Sequence, residues 1–379
     1  MELNIQKQSL LNGLQMVQGI IEKRSSMPIL SNVLMETDKD GIQIIATDLQ
    51  VGIRLKCPAT IIHKGGISIL ARKFFEIIRE FPDEEIYIKL KENNKLFISC
   101  KSSQFTISGL PSIDYPPLPE VDLKKTITLD GSLLRDMIQK TIISVSLDEG
   151  RYNLSGIYFE YIQKEKKNIL RMVSTDGHRL TMIDKEIEPL GDDVFTKGVL
   201  LPRKAVTEIL KILEEPGPVQ IGFKDTFGVF QKEESLMIMR LLESNFPDYT
   251  LVLPKKKEKV ITIPKNNLMD TMKRMGVLST DKYKGVKFSL TKGNLEILSV
   301  NPEIGEAKES IPLDYKGGKL VVGFNARFFI DALLVMESET ITLEFNDSVS
   351  PAILNGEKDP GFLALIMPMK LMEDAGDNL

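Results

Sequence analysis

The chain has 379 residues, 42% of them hydrophobic and 27% charged, with a formal net charge of −4; this exceeds one typical domain, suits ordinary soluble cores and argues against a wholly basic nucleic-acid binder. No apolar run reaches the length of a membrane span, and MELNIQKQSLLNGLQMV is too interrupted by polar residues to be expected to act as a secretory signal. The two cysteines, Cys57 and Cys100, lack metal-ligand spacing and are expected to stay reduced, in keeping with a cytoplasmic location.

In chain order, SLLNGLQMVQGII places Leu10, Leu14, Val17 and Ile21 on one face of a predicted helix. PILSNVLMET then reads as an extended segment and IQIIATDLQVGIRL as a hairpin. The apolar strand GISIL leads into a second helix, ARKFFEIIREF, and alternating strands close at the Pro-rich LPSIDYPPLP. The succession then repeats. SLLRDMIQKTIISV carries Leu134, Ile138, Thr141 and Val145 on one face, and YNLSGIYFEY, ILRMVSTDGHRLTMI, GVLL, PRKAVTEILKIL and SNFPDYTLVLP follow. NLMDTMKRMGVL, with Leu268, Met272 and Met275, opens a third round. It continues through YKGVKFSLTK, LEILSVNPEIGEAKESI, KLVVGF and NARFFIDALLVM to LALIMPMKL. Corresponding positions lie roughly 125–130 residues apart, an ordinary domain length. Three like-folded α+β domains are therefore expected at 1–123, 124–256 and 257–379, each made of two halves of strand, helix and strands. The charged run at 164–168 is expected at a hairpin tip, and that at 255–259 in a linker.

Aligning the hairpins sets Asp176 opposite Asp48 and Asn301, so each repeat carries Asp or Asn at the same bend. Such residues accept left-handed backbone and cap turns, and Asp176-Gly177 is itself a hairpin-turn pair. Asp176 is therefore expected to be a turn residue and not a catalytic acid. Gly177, His178, Arg179 and Leu180 have no like residues in the other repeats, and this mixture suits an extended peptide. A hydrolase centred on His178 would also need a nucleophile and an oxyanion hole, and no nucleophile elbow occurs. Histidine occurs elsewhere only at His63, so no His-based metal site is expected, and no phosphate-binding glycine-rich loop is present. Acidic pairs such as Asp148-Glu149 and Asp192-Asp193 read as exposed turns. No active site and no cofactor are expected.

Basic residues gather on the repeated helices or their ends, among them Lys7, Arg72, Lys73, Lys140, Arg203, Lys204 and Arg274. They could face a polyanion such as DNA, which distributed cations grip without regard to sequence, or could simply solubilise helix surfaces. Three like domains in a row also invite ring closure through unlike patches, with SQFTISGL and GVLSTDKY as candidate surfaces at opposite ends.

PILSNVL, RYNLSGIYFE, STDGHRL, FPDY, DSVSPAIL and the late MPMKL, in this order and spacing, resemble the bacterial DNA polymerase III β subunits, the replication sliding clamps, over essentially the whole chain. The resemblance implies two chains closing a six-domain ring around duplex DNA, with helices lining the hole and antiparallel sheets outside. It implies no catalysis, a loader that opens the ring, and replicative and translesion polymerases and repair proteins held through short peptides. It places the peptide pocket on Leu154, Thr175, Gly177, His178, Arg179, Leu180, Pro247, Val252, Leu365, Met367, Pro368, Met369 and Lys370. DNA-facing positions are implied at Arg24, Arg72, Lys73, Arg151, Tyr152, Arg203 and Lys204, and the joint between chains at Phe105 and Ile107 against Val277 and Leu278. The chain departs from the family at Thr250-Leu251, where a basic pair is common, at Asn153 for a second tyrosine, at Lys370 for arginine, and in the added MEDAGDNL. A protein scaffold acting without DNA is the competing reading, and it implies no salt-sensitive DNA association.

Overall fold

The structure is a computed structural model and describes residues 1–21, 27–120, 126–148, 150–164, 167–190, 197–253, 258–280 and 283–370. Six helices occur among them: α1 (Lys7–Val17), α2 (Ala71–Glu80), α3 (Gly131–Ile142), α4 (Arg203–Ile212), α5 (Lys265–Gly276) and α6 (Ala326–Val335). Each begins on the residue after a strand ends, at Gln6, Leu70, Asp130, Pro202, Pro264 and Asn325. Two of these junctions are capped by side chains: Asp130 Oδ1 accepts from Ser132 N at 2.6 Å, and Asn325 Oδ1 from Arg327 N at 3.0 Å. Pro202 and Pro264 give up no ladder donor at a helix start, where the N–H has no intrahelical partner.

The helical faces follow the sequence period. Leu10, Leu14 and Val17 are buried on α1, Leu134, Ile138 and Thr141 on α3, and Leu268, Met272 and Met275 on α5. Two boundaries fall earlier than the periodicity suggests. α1 stops at Val17, leaving Ile21 outside, and α3 stops at Ile142, although Val145 beyond it is still buried. Val145 is held by a turn in which its N–H reaches Ile142 O at 3.3 Å.

Contacts divide the chain into two compact units, and each crosses a repeat boundary. The first holds residues 1–135, 190–196 and 201–243. Its 13-stranded sheet runs in the order Ile127–Asp130, Pro218–Lys224, Phe227–Lys232, Ser235–Arg240, Val51–Pro58, Gly41–Thr47, Asn32–Thr37, Gly66–Leu70, Ser103–Pro111, Lys95–Cys100, Glu85–Lys91, Glu2–Gln6 and Thr60–His63. The sheet passes from the first repeat into the second where Val51 pairs with Met239 and Leu55 with Ser235, all antiparallel. Leu3, Leu10, Leu14, Phe74 and Phe230 are fully buried in this unit, as are the free thiols Cys57 and Cys100. Burial pushes the Cys57 thiol up to about 11, so it stays protonated at neutral pH. His63 lies at the end of a strand, paired with Glu2 at 3.2 Å.

The second unit holds 136–189, 197–200 and 244–379. Its larger sheet includes, in consecutive order, Gly156–Lys164, Lys167–Thr175, Arg179–Glu186, Phe362–Ile366, Ala352–Gly356, Thr340–Phe345 and Lys259–Pro264. Here Arg179 pairs with Ile366 and Ile183 with Phe362, joining the second repeat to the third as the first is joined to the second. A four-stranded sheet, Gly305–Pro312, Asn294–Asn301, Gly285–Thr291 and Leu320–Asn325, ends at Gly305–Pro312, an edge unpaired among the described residues. The ring cluster Phe288, Phe324 and Phe329 packs beneath it with centroids 5.1–5.4 Å apart. Residues 165–166 of the expected hairpin tip and 255–257 of the expected linker lie outside the described residues, while Lys259 opens a strand. No helix among the described residues is long and apolar enough to cross a membrane.

Candidate functional site

The three hairpin bends share one chemistry. Asp176 Oδ1 accepts from His178 N at 2.9 Å and Arg179 N at 3.0 Å, while Asp48 Oδ1 accepts from Gln50 N at 2.8 Å and Val51 N at 2.6 Å. Asn301 Oδ1 accepts from Glu303 N at 3.0 Å. Asp176 is thus a turn residue whose Oδ1 is consumed by its own turn's backbone. The next position needs left-handed backbone in two repeats: Gly177 takes φ +88° without strain, and Leu49 takes φ +74° with a side chain present. A Cβ on Gly177 would also come 2.9 Å from Arg151 Nη1, which donates to Asp176 O at 2.8 Å.

Around this bend the second unit gathers most of the residues of a candidate peptide groove. Thr175 Oγ1 bridges the hairpin, donating to Arg179 O at 2.6 Å and accepting from Gly177 N at 3.0 Å. Met367 N donates to His178 O at 2.9 Å and Met369 N to Gly323 O at 2.9 Å, which ties the late segment to the hairpin. Leu180 and Leu365, opposite each other in the register, are buried with Val173, Met182 and Tyr249. Tyr158, Phe246, Leu253, Leu363 and Met367 pack against that floor, and the Tyr158 and Phe246 rings stack at 5.1 Å. Pro247, His178 and Lys370 are exposed, Pro368 is half-buried, and Val252 and Met369 are 43% and 36% exposed. Leu154 is buried under the loop that carries Arg151, its N–H bonded to Arg151 O at 2.8 Å. Val252 closes the turn Tyr249–Val252, where Asp248 Oδ1 accepts from Thr250 N at 3.1 Å. Apolar rims over a buried aliphatic and aromatic floor, with flexible methionines on one side, suit an extended peptide.

The groove is braced by charges that sequence reading missed. Arg171 meets Asp184 across the strand pair in two parallel bonds of 2.6 Å and donates to Tyr249 Oη at 3.0 Å. Tyr249 Oη in turn donates to Glu160. Burial, with the Glu160 carboxylate adding to it, pushes the Tyr249 phenol up to about 12 despite Arg171. The direct register of Arg171 with Asp184 and the tyrosine shared by DYPPLP and DYTLVLP were the available signals. Arg179 is likewise engaged: Nε binds Asp176 at 3.0 Å, Nη1 binds Asp331 at 2.7 Å, and the guanidinium lies 4.5 Å from the Phe328 ring centre. Its mostly buried head braces the hairpin against α6. Asp331, 152 residues away, carries no sequence signal for this contact.

The residues grouped as DNA-facing divide between the units. Arg72 and Lys73 project from α2 and share Glu76, at 3.1 and 2.7 Å. Arg203 is exposed on α4, while Lys204 pairs with Asp48 at 2.5 Å and donates to Ile20 O at 2.9 Å. Arg151 and Tyr152 are exposed in the second unit, and Arg24 lies outside the described residues. Lys140 corrects the grouping of basic residues on the helix surfaces: it is buried and bonded to Asp136 at 2.9 Å and Asp359 at 3.0 Å, so it cannot face a polyanion. Phe105 is partly exposed and packs on Phe81 at 5.6 Å, with Ile107 half-buried two residues on. Val277 is 77% exposed, and Leu278 O accepts from Asn301 Nδ2 at 2.8 Å beside the third bend.

Three like α+β repeats, with antiparallel sheets that run from one repeat into the next, define a clamp-type protein. Models of the DNA polymerase III β subunit match its N-terminal domain at 1–119, its central domain at 128–248 and its C-terminal domain at 250–370. The β sliding clamp of Pseudomonas putida is 34% identical over 376 residues, covering 98% of this chain and all of that one. A crystal structure of the Bartonella birtlesii clamp bound to griselimycin aligns with a TM-score of 0.94 at 29% identity, over 98% of this chain and all of that one. The Pseudomonas aeruginosa clamp bound to griselimycin gives 0.90 at 32% identity, with the same coverage. The chain belongs to the family of bacterial DNA polymerase III β subunits, the β sliding clamps. Its function is that of the family: a non-catalytic processivity factor in DNA replication.

Proposed function

We propose that two copies of this chain, each of three domains at 1–123, 124–256 and 257–379, close head to tail into a cytoplasmic ring that encircles duplex DNA. The observation that carries this reading is the repetition of one junction. Arg240 N donates to Gln50 O at 2.7 Å between the first repeat and the second, and Met367 N to His178 O at 2.9 Å between the second and the third. Among the described residues the third repeat has the same hairpin with no strand paired beyond it, so Gly305–Pro312 is an open edge. Ser103–Pro111 pairs with its neighbours through 103–108 on one side and 109–111 on the other, which leaves the far side of 103–108 open as well among the described residues. Transferring the register of Val51 with Met239 puts Ile304 opposite the partner copy's Ile107, and Glu306 opposite its Phe105. An unlike contact of this kind is repeated twice in a closed pair and leaves neither edge bare.

Arg24, Arg72, Lys73, Arg151, Tyr152, Arg203 and Lys204 are the positions assigned to DNA, held through sequence-independent phosphate contacts. The chain's net charge of −4 disfavours tight equilibrium binding to DNA, and enclosure does the holding instead. Clamps placed by a loader on nicked circular DNA should persist there and be lost within minutes once the circle is cut. Equal retention on cut DNA with free ends would rule out sliding.

The groove of the second unit is assigned to short peptides of replicative and translesion polymerases, repair proteins and the loader. Leu180, Val252 and Met369 would take apolar anchors, and the exposed His178 imidazole would take one of the peptide's polar groups. For a synthetic peptide carrying Gln and a Leu-Phe pair, Met369→Ala should cost on the order of 1–3 kcal/mol of binding, the scale of an interface hot spot. Calorimetric titration checks this, with solution mass as a control for the ring. Unchanged affinity in both Met369→Ala and His178→Ala would remove the groove assignment.

A further inference from the structure

The two junctions match down to their floors. Leu34 lies opposite Ile45 in the first as Tyr158 lies opposite Val173 in the second, and Tyr115 and Tyr249 complete the two clusters. Ile238 faces Gly52 across the first junction as Leu365 faces Leu180 across the second. The backbone bond that ties each late segment to its hairpin is also the same. The bend residues differ between the two, and so do the floors at two positions: Arg54 stands where the second junction has Met182, and the other difference is one of size. Gly52 stands where the second junction has Leu180, and a Cβ built on it would lie 2.3 Å from Leu118 Cδ2.

Leu118 reaches that place from the exit segment Tyr115-Pro116-Pro117-Leu118-Pro119, packing on Leu34, Ile45 and Tyr115. Three prolines in this short stretch restrict φ and lower the entropy lost in holding the leucine in place. Tyr115 anchors the segment, its hydroxyl donating to Asn32 O at 3.2 Å and accepting from Thr47 N at 3.2 Å. In the second junction the corresponding exit leaves Val252 43% exposed at the groove. In the first, the side chain that would floor the groove is missing, and an aliphatic side chain from the chain's own rigid segment fills the space.

We infer that the first junction is a second peptide groove of the same construction, closed because Leu118 occupies it as a built-in ligand. Each chain then offers one open peptide site, and the ligand class of the closed one is an extended peptide with an aliphatic anchor. This inference rests on the reading of the second-unit groove as a peptide site.

The test is the stoichiometry of the Gln- and Leu-Phe-bearing peptide on the full-length protein. Wild type should bind one peptide per chain. Leu118→Ala should bind two, the second at least tenfold more weakly, because the first junction lacks the Gly177-His178-Arg179 bend. Leu118→Met, which refills the space, should return to one. An unchanged circular dichroism spectrum and solution mass report that Leu118→Ala is folded, and Leu118→Ser provides a second opening variant. One peptide per chain in both folded opening variants overturns the inference alone. A wild type that binds no peptide overturns the peptide reading and this inference together.

Discussion

Replacing Ile107 or Leu278 by aspartate should leave folded monomers at micromolar concentration. Each change would bury an unpaired charge at the proposed joint, and removing the compensation for a buried charge typically costs about 3–5 kcal/mol. A head-to-tail pair contains the joint twice, so the penalty doubles to about 6–10 kcal/mol, or about four to seven orders of magnitude in the dimer dissociation constant. Phe105→Asp should act in the same direction and also lose its contact with Phe81. Light scattering across a dilution series reads the mass, and the DNA retention assay should fail in parallel. Val277 offers an internal comparison: at 77% exposure in the single chain, its change to aspartate should leave the isolated fold intact and affect only assembly. Dimers that survive in both Ile107→Asp and Leu278→Asp would mean the joint lies elsewhere on these edges.

The features that were legible in the sequence are those that recur within it. Six helices preceded by strands, and three Asp or Asn bends, appear as periodicity and as repetition at roughly the length of a domain. The bend itself was resolved to the residue, because Asp48, Asp176 and Asn301 each accept the N–H two residues on and so satisfy their own turns. What stayed hidden is whatever depends on contacts between distant segments. Arg179 looked available to a ligand, yet its guanidinium is spent on Asp176 and Asp331, and helix periodicity says nothing about which hairpin α6 will meet. The floor of Tyr158, Phe246 and Tyr249 was missed because an aromatic in an alternating strand or a Pro-rich exit reads as ordinary core. Lys140 was misread because it lies beside Thr141 at the margin of the apolar stripe of α3, where a lysine usually reaches water.

That lysine sets the second large effect. Asp359 is wholly buried and accepts from Ser338 Oγ at 2.5 Å, Glu337 N at 2.9 Å, Ser338 N at 3.0 Å and Lys140 at 3.0 Å. Burial alone would raise its pKa, but these donors outweigh burial and hold the carboxyl below its usual value. For Lys140, burial alone would lower the pKa, and the carboxylates of Asp136 and Asp359 more than reverse that. The turn they fix opens the strand Phe362–Ile366, with Phe362 N bonded to Asp359 O at 3.0 Å, so the pair anchors one wall of the groove. Lys140→Ala or Asp359→Ala strands its partner and should destabilise the second unit by about 3–5 kcal/mol, whereas Lys140→Met with Asp359→Leu should cost much less than the two singles added. Exposed Lys167, paired with Glu186 in solvent, should change stability by under about 0.5 kcal/mol when replaced by alanine. The pH dependence has a definite sign. The lowered Asp359 contributes fully above its ordinary pKa of about 4 and less as pH falls through its folded value, and the raised Lys140 contributes fully below about 10.4. The deficit of either single variant, read by urea unfolding, should therefore be flat from about pH 5 to 9 and shrink below about pH 4. A deficit that instead vanished near neutrality would mean the pair is not ionised in the folded protein, and that the strand start is held by the Ser338 and Glu337 bonds alone.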